Sequence, residues 1–266
     1  MKKCLNVIVL YDNYDEVKQY IDGALVNDNR NLDIVVVVNK DSDDKAEKIA
    51  SEYGNNSVLV KDFGENVGYL NSLLMTLDEV NINDYQYFVL SNTDIEYETQ
   101  RFFDSLQSKE YDRSIGCIAP DVYSALTNTH SNPHYKERIK KSKIKRNIFI
   151  FSHPLLAKVY FSLAKRKTAA KSNKEGSCYV YAPHGCFMIM TREFISKIKG
   201  QRYPVKMYTE EGWVAENLIK NKMKCFYDNE LSVIHREHGT TGMLRIARQS
   251  AMFRESLQAL LDEFYT

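Results

Sequence analysis

The chain lacks the marks of several large protein classes. Nowhere in its 266 residues is there a run near the roughly 18 apolar residues that a membrane-spanning helix requires. The N-terminus passes from Lys2 and Lys3 directly into Leu5-Asn6-Val7-Ile8-Val9-Leu10, a strand pattern that begins too early for a secretory leader. A cytoplasmic location is the expectation. The five cysteines, Cys4, Cys117, Cys178, Cys186 and Cys225, form no C-x-x-C pair, which argues against a disulfide framework or a zinc ribbon and for reduced, mostly packed thiols. No G-x-G-x-x-G follows a strand, so an NAD-type dinucleotide fold is disfavoured. Repeats and low-complexity tracts are absent.

What is present belongs to a globular protein with one good core: 44% hydrophobic and 27% charged residues. The net charge of +1 hides an asymmetry. Residues 136 to 174 hold thirteen Lys or Arg against one acid, Glu137, a local +12, which leaves −11 on the remainder.

The first half alternates strand and helix signals. Leu5–Leu10 reads as a strand, Asp15–Leu25 as a helix with Val17, Tyr20, Ile21, Ala24 and Leu25 on one face, and Ile34–Val38 as a strand covered on both sides. Asp41–Tyr53 reads as a second helix, with Asp41 or Ser42 placed to cap it and Gly54 beyond its end. Ser57–Val60, Gly68–Leu77 and Tyr87–Leu90 continue the alternation, which predicts a parallel sheet between helices. A helix near Thr99–Leu106 and a strand at Ile115–Ala119 follow. Residues 121 to 178 have little clean periodicity and hold three of the five prolines counting Pro120, so they read as an insertion. Strand character resumes over Ser177–Met190, helices are expected at Arg192–Lys199 and Glu210–Asn221, strands at Lys224–Tyr227 and Leu231–Ile234, and an amphipathic helix at about Arg245–Phe264.

Polar residues at the ends of adjacent parallel strands can line a nucleotide crevice. Leu10-Tyr11-Asp12 ends the first strand and Asn39-Lys40-Asp41 the second, where Asn39 could read a base edge and the acids could meet a ribose. In Gly64-Glu65-Asn66-Val67-Gly68-Tyr69-Leu70-Asn71, Gly68 can bring the backbone close to a ligand, and Asn66 and Asn71 offer amides. The apolar run Tyr87–Leu90 stops at Ser91-Asn92-Thr93-Asp94, and a carboxylate there suits a divalent ion bridging phosphates, or else a cap. Glu210-Glu211 opens a helix, where the macrodipole favours acids in any case, and the functional alternative is a general base. His235 follows an apolar strand and could complete a metal site or remain a simple hydrogen-bonding residue.

In order, these segments resemble the family-two nucleotide-sugar glycosyltransferases of bacterial surface-polysaccharide synthesis. Val7–Asn13 is similar to that family's opening strand and loop, Val36–Ser42 to its second nucleotide loop, and Glu65–Tyr69 to its Asn-x-Gly-aromatic element. Asn92-Thr93-Asp94 falls where the family has an Asp-x-Asp-type motif, and His184-Gly185-Cys186-Phe187-Met188 resembles the segment flanking the acceptor. Tyr208-Thr209-Glu210-Glu211 resembles the acidic motif, and His235-Arg236-Glu237 with Thr240-Thr241 the late histidine and hydroxyl signature. Asn stands at positions 39 and 92 where the family usually has Asp, and Glu-Glu where many relatives have Glu-Asp.

The resemblance implies a GT-A-type, Rossmann-like, mostly parallel sheet flanked by helices in one catalytic domain over residues 1–266. Residues 1–120 would form its nucleotide-binding half, 121–178 the basic insertion, 179–244 the acceptor and catalytic half, and 245–266 a closing helix. It implies Mg²⁺ or Mn²⁺ held by Asp94, with His235, mainly when donor phosphates are present. Nucleotide contacts would come from Leu10, Tyr11, Asp12, Asn39, Asn66, Gly68, Asn71, Asn92 and Thr93. Glu211, or Glu210, would be the base of an inverting transfer from a nucleotide-diphosphate sugar, and His184, Gly185, Cys186 and Trp213 would meet a glycan or polyprenyl-linked acceptor. A sugar-nucleotide nucleotidyltransferase and a non-catalytic binding protein are the alternatives. The basic stretch 136–174, interleaved with Ile139, Ile144, Phe149, Leu155 and Val159, suits an anionic membrane surface, and no nucleic acid is expected as a partner.

Overall fold

The computed structural model describes residues 3–27, 31–54, 57–168, 173–237 and 246–265. The strands are β1 (Cys4–Tyr11), β2 (Leu32–Lys40), β3 (Val58–Asp62), β4 (Tyr87–Ser91), β5 (Ile95–Tyr97), β6 (Ile115–Ser124), β7 (Thr129–His130), β8 (Cys178–Val180), β9 (Phe187–Thr191) and β10 (Lys224–His235). The helices are α1 (Tyr14–Asn27), α2 (Lys45–Tyr53), α3 (Tyr69–Glu79), α4 (Phe102–Ser108), α5 (Lys141–Phe151), α6 (Pro154–Thr168), α7 (Arg192–Ile198), α8 (Glu210–Lys220) and α9 (Ile246–Phe264). One sheet runs in the order β3-β2-β1-β4-β9-β6-β10-β5, with β7 beside β6 and β8 beside β10.

The β-branched run Ile34-Val35-Val36-Val37-Val38 is continuous because both faces of the sheet are covered. Val35 and Val37 join Leu5 and Val7 in a core beneath α3, α7 and α8. Ile34, Val36 and Val38 join Ile8 and Leu10 in a second core beneath α1, α2 and α4. Each such side chain, fully buried, contributes about 2 kcal/mol, and the period of two divides that contribution between the faces.

The sheet is parallel through β1 to β4, as the alternation predicts, and mixed beyond. β9 enters antiparallel between β4 and β6, while β6 and β10 are parallel to each other. Strand β6 does not stop at Ala119 but continues to Ser124, so the segment read as an insertion from 121 begins inside the sheet. Lys224–Tyr227 and Leu231–Ile234 belong to one strand, interrupted by an irregularity between Asp228 and Ser232 beside Pro120. Proline has no N–H for the ladder, so the mismatch falls where its cost is smallest. The strand signal over Ser177–Met190 divides into β8 and β9 around a loop that carries His184 and Cys186. Helix α2 starts later than expected, at Lys45, and Asp41 accepts from the N–H groups of Lys45 (2.9 Å) and Ala46 (2.6 Å).

Residues 141–168 form a helical hairpin, α5–α6, that packs with α9. Phe151 stacks between Phe161 and Phe253 at 5.6 and 5.2 Å. Along its outer edge Phe149, Leu155, Leu156 and Val159 are exposed, Leu155 by 80%. Among the described residues no helix is long and apolar enough to cross a membrane. The side chains of Lys165, Arg166, Lys167 and Lys171 lie outside the described residues, as do Thr240, Thr241 and Arg245.

Candidate active site

Strand order reverses on the two sides of β1: the chain runs outward through β2 and β3, then returns to the other edge of β1 as β4. A crevice outside the carboxyl ends of β1 and β4 is the physical consequence. A cavity of about 690 Å³ occupies it. Its floor is built from Val9, Tyr11, Asn39, Asn66, Asn92, Thr93 and Asp94, and its far wall from His184, Gly185, Cys186, Glu210, Glu211 and His235. Helices α5, α6 and α9 roof it with Lys143, Asn147, Phe151, Tyr160, Met252 and Phe253.

Asp94 and His235 meet because of strand register. The chain reverses after Thr93 into β5, which pairs antiparallel with β10 so that Ile95 lies opposite His235. The N–H of Arg236 donates to the Asp94 carbonyl at 2.9 Å and locks that register. His235 Nε2 then lies 3.2 Å from Asp94 Oδ1, within ion-pair range but not aligned as a hydrogen bond. Both carboxylate oxygens of Asp94 are buried without a hydrogen-bond donor. Burial tends to raise the Asp94 pKa, yet His235 holds it below the ordinary carboxylate value. Burial likewise pulls His235 down, but Asp94 and Cys186 outweigh it and push the ring up to about 10. Neither oxygen of this carboxylate accepts an aligned hydrogen bond, and His235 offsets its charge only through a 3.2 Å ion pair, so direct coordination by a divalent cation fits it. The residues therefore fit the metal expected at Asp94.

His184 and Cys186 stand beside this pair. One donor atom from each of His184, Cys186 and His235 lies within 4.8 Å of the others. Their loop is anchored at both ends: Asn132 Oδ1 accepts from the His184 N–H at 2.8 Å, and the Cys186 carbonyl accepts from the Asn92 N–H at 2.8 Å.

Glu210 and Glu211 open α8 from Tyr208 and Thr209, both left-handed with φ of 72° and 58°. Non-glycine residues in this region cost about 1–3 kcal/mol each and persist only where neighbours fix them. Here Tyr203 does so, its hydroxyl bonding the Tyr208 carbonyl and the Thr209 hydroxyl. Glu210 accepts the Tyr208 N–H at 2.9 Å and is buried; burial first, then the neighbouring Glu211 charge, raises its pKa to about 8. Burial also raises Glu211, whose Oε2 would lie 3.2 Å from a Cβ placed on Gly185.

The buried Glu210 has a consequence for stability. Its folded pKa of about 8 exceeds the ordinary 4.5, so the folded state binds its proton more tightly. Stability from this group is complete below pH 4.5 and is lost as pH rises through 8. Glu210→Gln should therefore remove a decline on the order of 3 kcal/mol between pH 5 and pH 9. Urea midpoints of parent and variant across that range test this, and parallel curves would refute it.

Four expected site residues do not line the cavity. Leu10 faces the core under α1, since strand alternation sends Tyr11 toward the crevice and Leu10 away from it. Asp12 ties the first two loops together: it pairs with Lys40 and accepts from the Ser42 N–H at 2.8 Å. Asn71 forms two bonds with the Tyr203 backbone, at 2.9 and 2.8 Å. Trp213 is 1% exposed, packed against Tyr203, and donates to Glu263 at 3.1 Å. Gly68 does line the cavity, but its close approach is to backbone. With φ of 88°, a Cβ there would fall 2.3 Å from the Lys206 carbonyl oxygen. Asn39 holds the third loop by accepting from the Val67 N–H at 3.0 Å.

Sequence reasoning missed Glu16, Asn13 as a connector, and the His134-Tyr135 wall. Asn13 donates to Thr93 at 2.7 Å, and Thr93 donates to Glu16 at 3.3 Å. Only the helical spacing of Glu16 after the first loop could have suggested it. His134 is five ring-centroid ångströms (5.0 Å) from His184, a contact no local signal announces.

No protein-family model and no curated protein matches the sequence. Solved structures do match it in fold. A mannosyltransferase from Pyrobaculum calidifontis, in complex with GDP-Man and Mn²⁺, superposes with a TM-score of 0.58 at 11% identity over 97% of this chain and 68% of its own. GalNAc-T7, with UDP, GalNAc and Mn²⁺, gives 0.60 at 15% identity over 100% of this chain; the chain spans 49% of that protein. A mycobacterial protein gives 0.57 at 14% identity over 99% of this chain and 75% of its own. At these identities the likeness establishes the architecture, which is the GT-A fold.

Proposed function

We propose that this protein is a metal-dependent glycosyltransferase that moves a sugar, with inversion, from a nucleotide-diphosphate donor to a hydroxyl acceptor. The observation that carries this reading is the placing of Asp94–His235 and Glu210–Glu211 in one cavity at the switch point of the sheet. Mannosyltransferase and GalNAc-T7 complexes with Mn²⁺ on the same fold support it.

In this reading Tyr11, Asn39, Asn66, Asn92 and Thr93 bind the nucleotide across the ends of β1, β2 and β4. Asp94 and His235 hold Mg²⁺ or Mn²⁺, which when bound supplies positive charge for the departing diphosphate. Glu211 takes the proton from the acceptor hydroxyl. Glu210, still protonated near neutrality, carries no charge and leaves a single negative charge at the base. Gly185 leaves room for Glu211 beside the metal-side loop. The aromatic roof excludes water, which would otherwise compete with the acceptor as nucleophile.

The acceptor is a glycan or a lipid-linked sugar of a bacterial surface-polysaccharide pathway. The exposed Phe149, Leu155, Leu156 and Val159 on a hairpin rich in Lys and Arg support the lipid-linked form. Each cation near an anionic surface contributes about 1 kcal/mol, and the apolar edge adds burial in the headgroup layer. Co-sedimentation with phosphatidylglycerol vesicles at low salt should retain the protein, and Leu155→Glu with Phe149→Glu should release it. Equal pelleting of parent and variant would count against this surface.

Thermal shift with UDP, GDP, dTDP and CDP in the presence of Mn²⁺ tests the donor site. At a hundredfold excess over Kd one of them should stabilise the fold by about 2.7 kcal/mol. If none moves the midpoint, the donor reading fails. If one binds but the loaded donor is neither hydrolysed nor transferred, the transferase reading fails.

A further inference from the structure

The metal side of the cavity contains more donors than a hard cation uses. His184, Cys186 and His235 present two nitrogens and a sulfur within 4.8 Å, and Asp94 adds buried carboxylate oxygens 3.2 Å from the His235 ring. We propose that these four side chains form one nitrogen–sulfur–oxygen site that takes a borderline-soft divalent ion, Zn²⁺ or Co²⁺, ahead of Mg²⁺ and without nucleotide. This extends the proposed metal site at Asp94 and His235 with two ligands, and it reverses the expectation that phosphates must complete the coordination.

Three observations support it. The first is backbone placement. His184 and Cys186 flank Gly185 on a loop pinned to Asn132 and Asn92, and His235 ends β10 opposite Ile95, so main chain fixes all three attachment points. A tetrahedral zinc site with bonds of about 2.0–2.3 Å separates its ligand atoms by roughly 3.4–3.8 Å. Contracting 4.8 Å to that range needs about 1 Å of side-chain movement and no change of fold.

The second is that neither Asp94 oxygen accepts an aligned hydrogen bond, so a cation competes there only with the His235 ring, which is itself one of the proposed ligands. The third is chemical. Mg²⁺ requires octahedral oxygen and retains water, whereas thiolate and imidazole ligands favour zinc and cobalt over so hard an ion. Cys186 is buried at 5% exposure and is not in a disulfide. On binding, Cys186 gives up its S–H proton and the His235 imidazolium the proton on its coordinating nitrogen, metal–sulfur and metal–nitrogen bonds form, and both protons pass to buffer.

Spectroscopic titration with Co²⁺ tests the site independently of turnover. Full-length protein, freed of metal by chelation, should develop tetrahedral d–d absorption and a near-ultraviolet thiolate-to-cobalt charge-transfer band with one equivalent of Co²⁺ and no nucleotide. Zn²⁺ should bleach both bands at one equivalent, and a hundredfold excess of Mg²⁺ should not. Cys186→Ser should abolish the charge-transfer band and weaken Co²⁺ binding at least tenfold, whereas Cys178→Ser, on the half-buried thiol of β8, should retain both. Circular dichroism of the metal-free variants monitors folding. His184→Gln, which leaves the thiol in place, should retain the charge-transfer band but bind more weakly, so misfolding of one variant does not remove the test. An octahedral spectrum, a band that survives Cys186→Ser, or binding only with UDP or GDP present would each overturn the proposal. Should the band form while no nucleotide binds, the four-ligand site stands and the transferase reading falls.

Discussion

Glu211→Gln is expected to slow sugar transfer by about 10³-fold, within the range contributed by a positioned general base, while the donor's KM changes by less than about threefold. The expectation rests on the different environments of two adjacent acids. Glu210 is buried, accepts the Tyr208 N–H, and has its pKa near 8, so around neutrality it carries the proton. A protonated carboxyl cannot remove another proton. Glu210→Gln resembles that protonated state, and the variant should lose less than about tenfold at pH 7. Glu211 itself is raised by burial, so kcat should rise with pH as its carboxyl ionises. Rates of both variants with a fixed donor and acceptor decide the assignment. The reverse ordering would make Glu210 the base.

Arg138→Ala is expected to cost about 3 kcal/mol of folding stability, the lower end of the range for breaking a buried ion pair because solvent reaches the arginine. Its partner, Glu216, is 2% exposed in the middle of α8. Arg138 meets it with two bonds, at 2.9 and 2.7 Å, and the hydroxyls of Tyr181 and Tyr265 each donate to Oε1 at 2.7 Å. The guanidinium also lies over the Tyr265 ring at 4.5 Å. This cluster joins the segment before α5, the end of β8 and the residue after α9 to the helix that starts with Glu210. Removing the cation leaves a carboxylate with no charge to balance it. Glu216→Gln in the Arg138→Ala background should recover most of the loss, since the amide oxygen can still accept from the tyrosines. Urea denaturation of the parent and the two variants measures this, and failure of the second substitution to rescue would mean that Arg138 acts by packing.

The N-terminal half of the fold was legible because parallel strands covered on both faces leave long β-branched runs, as in Ile34–Val38, and because each is followed by a helix with its own periodicity. The second half was less so. β6, β9 and β10 pair across long sequence separations, and nothing near Phe187–Thr191 indicates that it will run antiparallel between β4 and β6. Site residues followed the same division. Asp94, His235 and the Glu210–Glu211 pair lie at element ends, where a change from apolar to polar residues is visible, and the structure brings them to one cavity. Leu10 is expected at the strand's end, facing the crevice, but the strand continues to Tyr11 and alternation turns Leu10 inward. The resemblance implies an acceptor contact for Trp213, but three positions after Glu210 on a helix it returns to the buried face. The proximity of His184 and Cys186 to Asp94 depends on hydrogen bonds from Asn132 and Asn92, which no spacing rule encodes.

The floor and the roof of the cavity are built differently, and they therefore differ in what they can tolerate over evolutionary time. The floor comes from strand ends whose positions are fixed by the whole sheet, so a change at Asn39 or Asp94 is felt through several ladders. The roof, α5, α6 and α9, is held largely by stacked rings such as Phe151, Phe161, Phe253 and Tyr208, contacts that neighbouring aromatic or aliphatic side chains can replace. Selection can thus remodel the roof residue by residue while the floor stays constant. The sequences of a lineage of such proteins would diverge first in that hairpin and that helix.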